Sequence, residues 1–544
     1  MFVLRPNEMK EVYDYIVIGS GFGGSVSAMR LSEKGYSVLV IEKGKRFHTK
    51  DFPKSDWNLK KFLWVPKLKW FGFQKLTFFK QVTILSGVGV GGGSIVYGNT
   101  HMFPPDAFFN NPVWAHIKNW KTVLSPYYDL ARHMLGTIPL TNLKEEDLLL
   151  KEVAQDMGAA TTFSGVNVGV YFGDKDNETD PYFDGKGPMR SGCQECAGCM
   201  VGCRYNAKNT LDKNYLYFAE HYGAQIIEQS FVDKIEYFNN EYIIHTTKSG
   251  SWFRKNKKTF RSKGLIISAG VLGTMDLLLK QKYKHKTLRD ISDQLGENVL
   301  TNSESLCGVS NADRKLNNGI AISSYFNPDA HTHIEVVKYN DTSGAMGKLA
   351  TLAVGQGSGI MRLIKWFLAV LSHPIKFIRL TFTFKNWGKK SIIFLVMQSL
   401  DNSMRMIWKK GVFSSSLSIK NDKDSKVPAY IPIGQEVMNR YAKKVNGIAQ
   451  NAWPEILLDM PMTAHILGGC PMGKTIKQGV VNEFFEVHGY NNMYILDGSI
   501  IPCNLGVNPS LSITALSEYA MSQIPDKPGN SIKPMKELSF EVAR

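Results

Sequence analysis

The stretch that most restricts what this chain can fold into is Tyr13-Asp-Tyr-Ile-Val-Ile-Gly-Ser-Gly-Phe-Gly-Gly-Ser25, followed by a helix-like run and then Val38-Leu-Val-Ile-Glu42. An apolar strand runs directly into Gly19, Gly21 and Gly24, at G-x-G-x-x-G spacing. Each glycine answers a different steric need. Gly19 makes the tight turn, Gly21 lets the backbone approach a pyrophosphate, and Gly24 lets the next helix pack close to the strand. The helix start, through Phe22 and Gly23, offers free N–H groups and a positive dipole end. A second strand ends at Glu42, about 20 residues on, where an acid can accept from a ribose 2′-OH. An acid there disfavours a 2′-phosphate, which leaves FAD or NAD and predicts an α/β chain with a Rossmann-like domain.

A chain of 544 residues has room for two domains. Its net charge of +17 suits nucleic acid, an anionic membrane surface or acidic substrates. No nucleic-acid motif is present, so no nucleic-acid partner is expected. The opening residues lack a signal-peptide pattern, and no run approaches the length of a spanning helix. Four of the seven cysteines fall between Cys193 and Cys203, too close to staple a secreted fold. A cytoplasmic location, peripheral to a membrane at most, is expected.

Between Lys54 and Lys80, aromatic residues alternate with lysines and Asp56 is the sole acid. The segment reads as a subdomain with an aromatic core or as a membrane-surface rim. Leu85 to Thr100 is so rich in glycine, with Gly91-Gly-Gly-Ser94 at its centre, that it fits backbone pressed on a flat ligand. Gly264-Leu-Ile-Ile-Ser-Ala-Gly270 reads as a return to the nucleotide-binding sheet. Alternating strands within 310–460, such as Thr332 to Tyr339 and Ser391 to Gln398, suggest a sheet with one face free for a ligand. No acid occurs between Asp341 and Asp401, whereas Arg362, Lys365, Lys376, Arg379, Lys385, Lys389 and Lys390 do. The basic-apolar runs 360–371 and 375–380 read as helices that lie in a membrane interface or pack on the domain.

The strongest chemical signal is C-terminal: Thr463-Ala-His-Ile-Leu-Gly-Gly-Cys-Pro-Met-Gly473, Tyr494-Ile-Leu-Asp-Gly498, and Gly506-Val-Asn-Pro-Ser510. A strand ending in Asp497-Gly498 and a helix starting near Pro509 would present N–H groups to an anion or ring edge. His465, near a glycine pair, can reach a substrate unobstructed, and its intrinsic pKa of about 6.5 suits proton transfer near neutrality. Cys193, Cys196, Cys199 and Cys203 have C-x₂-C-x₂-C-x₃-C spacing, which suits an iron–sulfur cluster as well as reduced structural thiols.

Taken together, the N-terminal glycine motif, Gly91-Gly-Gly-Ser94, Cys199-Met-Val-Gly-Cys-Arg204 with Ala207-Lys-Asn-Thr210, Val396 to Ser403 and the C-terminal His and Asn motifs resemble the glucose-methanol-choline (GMC) flavoprotein oxidoreductases. Within them, the chain is most similar to the bacterial FAD-dependent cholesterol oxidase-like branch. The resemblance implies a Rossmann-like FAD domain (1–110, 190–310, 460–544) interleaved with a substrate domain on a mostly antiparallel sheet (111–189, 311–459, with 54–80 as a lid or membrane-facing segment). FAD would lie along Gly19–Gly24 with its ribose on Glu42. Its ring would lie against Gly91, Gly92, Gly93 and Ser94, closed by Asp497, Gly498, Asn508 and Pro509. His465 and Asn508 match the family's catalytic pair. The implied reaction oxidises the hydroxyl of a sterol or similar bulky lipid alcohol, with hydride passing to the flavin and electrons to O2 or a redox carrier. Some steroid oxidases also shift a double bond with a carboxylate. The corresponding strand, Lys390-Ser-Ile-Ile-Phe-Leu395, has no acid, and Glu335 on a neighbouring strand is the substitute candidate. Two alternatives stand beside this reading: a non-steroid alcohol dehydrogenase exporting electrons through a Cys-ligated Fe–S site, and a membrane-associated lipid-binding flavoprotein.

Overall fold

A computed structural model describes residues 9–251, 256–357, 359–382, 386–411, 415–421 and 427–532. Strands that are apolar on both faces need cover on both, which favours a parallel sheet between helices. Tyr13–Ile18 is such a strand. It pairs in parallel with Val38–Ile41 on one side and with the C-terminal half of Lys258–Ile267 on the other, Ile16 lying opposite both Leu39 and Leu265. Gln225–Ile227 adds outside Val38–Ile41, and Met493–Ile495 adds beyond Lys258–Ile267, both in parallel. The N-terminal half of Lys258–Ile267 instead joins an antiparallel hairpin, Ser230–Phe238 with Glu241–Lys248.

Helix Phe22–Glu33 crosses this sheet beside the last described helix, Ser510–Ser522. Arg30 Nε lies 2.7 Å from Glu518 Oε2, and the Tyr215 hydroxyl donates to Glu518 Oε1 at 2.7 Å. The buried triad clamps the two ends of the chain together. The nucleotide-binding sheet is thus assembled from the N-terminal, middle and C-terminal parts of the chain.

A second, antiparallel sheet has the order Ala350–Leu352, Ile448–Ala452, Ser305–Ser310, Ile392–Gln398, Thr332–Val337, Ile322–Phe326, Ser164–Gly165. Side chains alternate across a strand, so each face has its own partner. Phe394, Val396, Ile334 and Val336 pack with Leu150, Val437 and Tyr441 of helices Glu145–Asp156 and Pro432–Lys444. Ile393, Leu395, Val337 and Ile322 turn the other way, towards the nucleotide-binding sheet, and line the cavity between the two.

In the aromatic stretch 54–80, Phe62 and Phe73 form a small core with Phe47, while Trp57, Leu68 and Phe78 are exposed. Asp56 is buried and accepts from the N–H groups of Gly344 at 2.9 Å and Met346 at 3.0 Å, pinning that loop to the subdomain. Helices Gly359–Ser372 and Pro374–Phe382 lie against the edge strand Ala350–Leu352, where Leu352 and Leu380 pack with Trp366 and Phe377. Lys385 lies outside the described residues.

Candidate active site

The glycine turn shows three distinct geometries. Gly19 has φ 97°, and a Cβ there would stand 2.2 Å from the Ser268 carbonyl oxygen. A Cβ on Gly24 would stand 2.1 Å from the Gly19 carbonyl oxygen, so the helix packs on the turn without room for a methyl group. Gly23 is equally confined, by the Leu496 carbonyl oxygen at 1.8 Å. At Gly21, by contrast, a Cβ would meet nothing within 4 Å. The backbone there faces open space at a helix N-terminus, the geometry a diphosphate requires. Gly92, at φ 52°, brings the glycine-rich loop against Gly21, and Gly91 has φ 101°. Ser94 is turned inward, donating to the Gly91 carbonyl at 2.7 Å and accepting from the Leu211 N–H at 3.1 Å. Glu42 is buried; its carboxylate accepts from Ser20 Oγ at 2.9 Å and from the Gly44 N–H at 2.8 Å, which fixes it at the end of its strand.

One cavity of about 310 Å³ joins this cradle to the antiparallel sheet. Gly21, Phe22, Gly23, Gly93, Asp497, Gly498, Asn508 and Pro509 line it from the nucleotide side, while Leu306, Ile322, Val337, Ile393 and Leu395 line it from the sheet. His465 and Glu304 also line it. Gly19, Gly24, Glu42, Gly91, Gly92 and Ser94 shape its surroundings without lining it. Asp497 is buried, accepting from the Ser499 N–H at 2.8 Å and from the Thr274 hydroxyl; burial holds its carboxyl above the usual range. An open backbone at Gly21 and a polar far end fit an extended dinucleotide, whose middle Gly21–Gly23 and Gly93 would hold and whose ring end Asp497–Gly498 and Asn508–Pro509 would close.

At that end the sequence reading missed one residue, Glu304. Its carboxylate is fully buried and lies 3.1 Å from His465 Nδ1, whose side chain is 14% exposed. It also accepts from Thr463 Oγ1 at 2.8 Å and from the Ala464 N–H at 3.2 Å. Desolvation lowers the His465 pKa, but the Glu304 charge outweighs it, with a smaller contribution from Glu335, and the net direction is upward. With Nδ1 turned to Glu304, Nε2 is the nitrogen left for the cavity. Glu304 stands in a turn where Asn302 and Ser303 take positive φ, 58° and 43°. Asn302 holds that turn to the loop before Asn508, accepting from the Gly506 N–H at 2.8 Å and donating to the Val507 carbonyl at 2.9 Å. The signal in the sequence was only the short polar run Thr301 to Ser305 between two apolar strands, which many turns share.

Asn508 is buried and donates its Nδ2 to Glu335 Oε2 at 3.2 Å, which leaves its Oδ1 without a protein partner. An unpartnered buried acceptor costs about 1–3 kcal/mol and is suited to a ligand's hydrogen-bond donor. Glu335 itself is fully buried between Asn508 and His333 Nε2, the latter at 3.2 Å, and does not line the cavity.

Of the two readings of the cysteine spacing, the structure gives no support to the iron–sulfur cluster. Cys193, Cys196, Cys199 and Cys203 do surround a common void, but it measures about 20 Å³, room for roughly one water molecule. Among the described residues, no group of three or more His, Cys, Asp or Glu side chains could hold a metal ion. Burial raises the thiols of Cys193 and Cys199 and pushes Cys196 up to about 11, whereas Cys203, despite its burial, is lowered by Lys213 and neighbouring backbone N–H groups. The segment serves as a scaffold: buried Lys208 donates to the carbonyls of Ile95 and Tyr97 at 2.9 Å and Cys199 at 3.0 Å, tying it to the end of the glycine-rich loop.

Three family models match this chain: an NAD(P)-binding Rossmann-like domain over 17–57, and two GMC oxidoreductase models over 188–302 and 431–517. The chain belongs to the GMC oxidoreductase family, and it is an FAD-dependent alcohol oxidoreductase. Within the family it falls in the cholesterol oxidase-like branch. It is 43% identical to a cholesterol oxidase of Mycobacterium tuberculosis over 95% of this chain and 92% of the relative. It is 42% identical to a cholesterol oxidase of Acinetobacter baumannii over 95% of each chain. Among solved structures, a pyridoxine 4-oxidase from Mesorbium loti shares the fold with a TM-score of 0.61 at 13% identity, covering 94% of this chain and 99% of its own.

Proposed function

We propose that the protein oxidises the secondary hydroxyl of a sterol or a similarly bulky lipid alcohol to the ketone and returns the electrons to O2. The observation that carries this reading is the single cavity that places His465 and Asn508 beside an apolar sheet face. A flat apolar skeleton would lie on Leu306, Ile393 and Leu395, with its hydroxyl at the polar end. Asn508 donates the amide N–H not given to Glu335 to the hydroxyl oxygen and orients it, so that the hydroxyl proton faces His465. His465, held at Nδ1 by Glu304, removes that proton from the oxygen as the carbon loses hydride. Bound FAD supplies the hydride acceptor. Glu335 acts by fixing the Asn508 amide, so the oxidation is proposed without a double-bond shift. The 42–43% identity to cholesterol oxidases supports the sterol class.

An anaerobic titration tests this. Cholesterol dispersed in detergent should bleach the flavin absorbance of the purified protein, and admitting O2 should restore it with formation of hydrogen peroxide. Bleaching by short alcohols but not by sterols would reject the substrate class. Full bleaching without recovery in O2 would reject the acceptor.

A further inference from the structure

Helices Gly359–Ser372 and Pro374–Phe382 are amphipathic in the reverse of the usual sense. In a helix lying on a domain, the apolar stripe faces the core and the charged face meets water. Here the residues buried against the body are Leu380 on the second helix and, on the first, Arg362, with Nη2 2.7 Å from Glu455 Oε1 and Nη1 3.1 Å from the Glu455 carbonyl. One turn on, Trp366 donates its ring N–H to Thr351 Oγ1 at 2.8 Å on the edge strand. Apart from Leu380 and the partly buried Trp366, Val370 and Phe377, the large apolar residues point away. Ten large apolar side chains between 360 and 382 are exposed, among them Ile360 at 75%, Leu371 at 61%, Ile375 at 71% and Phe382 at 69%. Leu457 and Leu458, on the helix Trp453–Leu458 packed beside them, are exposed too. An outward apolar face of this extent marks an interaction site.

Charge decides what covers it. Lys365, Lys376 and Arg379 are exposed on the same two helices, and no acid occurs between Asp341 and Asp401. Arg362 leaves this set through its buried pair with Glu455, and Lys389 lies 3.5 Å from Asp341. A second copy placed face to face would bring like charges together, whereas anionic headgroups would complement them. The helices, of 14 and 9 residues, are too short to span a hydrocarbon core of about 30 Å. No described helix is long and apolar enough to cross a membrane.

We propose that these two helices lie in the plane of an anionic lipid bilayer, apolar side chains among the acyl chains and the three cations at the headgroups. Edge strand Ala350–Leu352 follows directly on the turn Met346–Leu349, and Met346 lines the cavity. The docked face is therefore two short elements from the site. Docking of this face requires no substrate and is independent of which alcohol the cavity takes.

Vesicle flotation with the full-length flavoprotein tests it, using phosphatidylcholine vesicles with and without phosphatidylglycerol. The protein should float with the anionic vesicles and lose binding as salt rises. Neutralising the cations in Lys365→Gln/Lys376→Gln/Arg379→Gln should weaken partitioning about 100-fold. The double variant Ile364→Asp/Leu368→Asp should lose at least about 10-fold. Both variants should oxidise detergent-dispersed alcohol as the wild type does, since none of these residues lines the cavity. Equal binding by wild type and both variants would overturn the proposal. So would equal binding to neutral vesicles, or a dimer in solution that Ile364→Asp/Leu368→Asp converts to monomer with no vesicle binding.

Discussion

Replacing Glu304 by Gln removes one charge from the reactive end of the cavity while keeping size and hydrogen-bonding capacity. At 3.1 Å from His465 Nδ1, and with an effective dielectric of about 20, the attraction between carboxylate and imidazolium is about 5 kcal/mol. That attraction reverses the lowering that burial alone imposes on His465. Without it, burial prevails and the His465 pKa moves down. Proton removal requires neutral His465, so the acidic limb of kcat/KM for anaerobic flavin reduction should shift to lower pH. The plateau should fall about 10- to 100-fold, because a weaker and less oriented base accepts the proton less readily. Stability carries a matching signature. The folded-state pKa of His465 is raised, so the pair's contribution is complete below the ordinary histidine value and is lost as pH rises through the raised one. The deficit of Glu304→Gln in Tm should therefore be larger near about pH 5 than near about pH 9. Stopped-flow reduction across pH, with flavin content checked by absorbance, measures the first effect. An acidic limb that stays in place or moves upward would refute the coupling of these two groups.

Gly21→Ala and Gly24→Ala separate cofactor contact from packing. Gly21 has φ −74° and open space at its Cβ, so Gly21→Ala should fold with apoprotein Tm little changed yet retain FAD at least about 10-fold less tightly. Gly24→Ala would press into the Gly19 carbonyl oxygen and should lower stability by about 1–3 kcal/mol before any cofactor is added. Arg362→Met should destabilise by about 3–5 kcal/mol, since it strands Glu455. Burial first of all, only partly offset by Arg362, pushes the Glu455 carboxyl up to about 7. Its folded value thus exceeds the unfolded one, and the group costs increasing stability as pH rises from about 4.5 to 7, a loss that thermal melts should show continuing to higher pH in Arg362→Met.

The features legible in the sequence are those written in short spacings. Gly19, Gly21 and Gly24 lie within six residues, and the steric need at each is set by its own turn and helix. The alternation of Ile393 to Val396 separates two sheet faces because successive side chains on a strand point oppositely. The helical runs near 360–371 and 375–380 could also be read, since apolar periodicity marks a helix whichever way it faces.

Periodicity carries no record of what stands opposite, and there only the tertiary structure decides. It turned the stripe of Ile360, Leu371 and Ile375 outward because the buried pair Arg362–Glu455 occupies the inner side. It left the four cysteines around a void of about 20 Å³, because ligand spacing along a chain does not set how far thiols stand apart in space. It brought Glu304 to the loop carrying His465, an approach between Glu304 and Ala464, 160 residues apart, that depends on where two sheets stack. The glycine turn was thus determined locally by sterics, whereas the carboxylate beside His465 and the outward apolar face were determined by packing between distant elements.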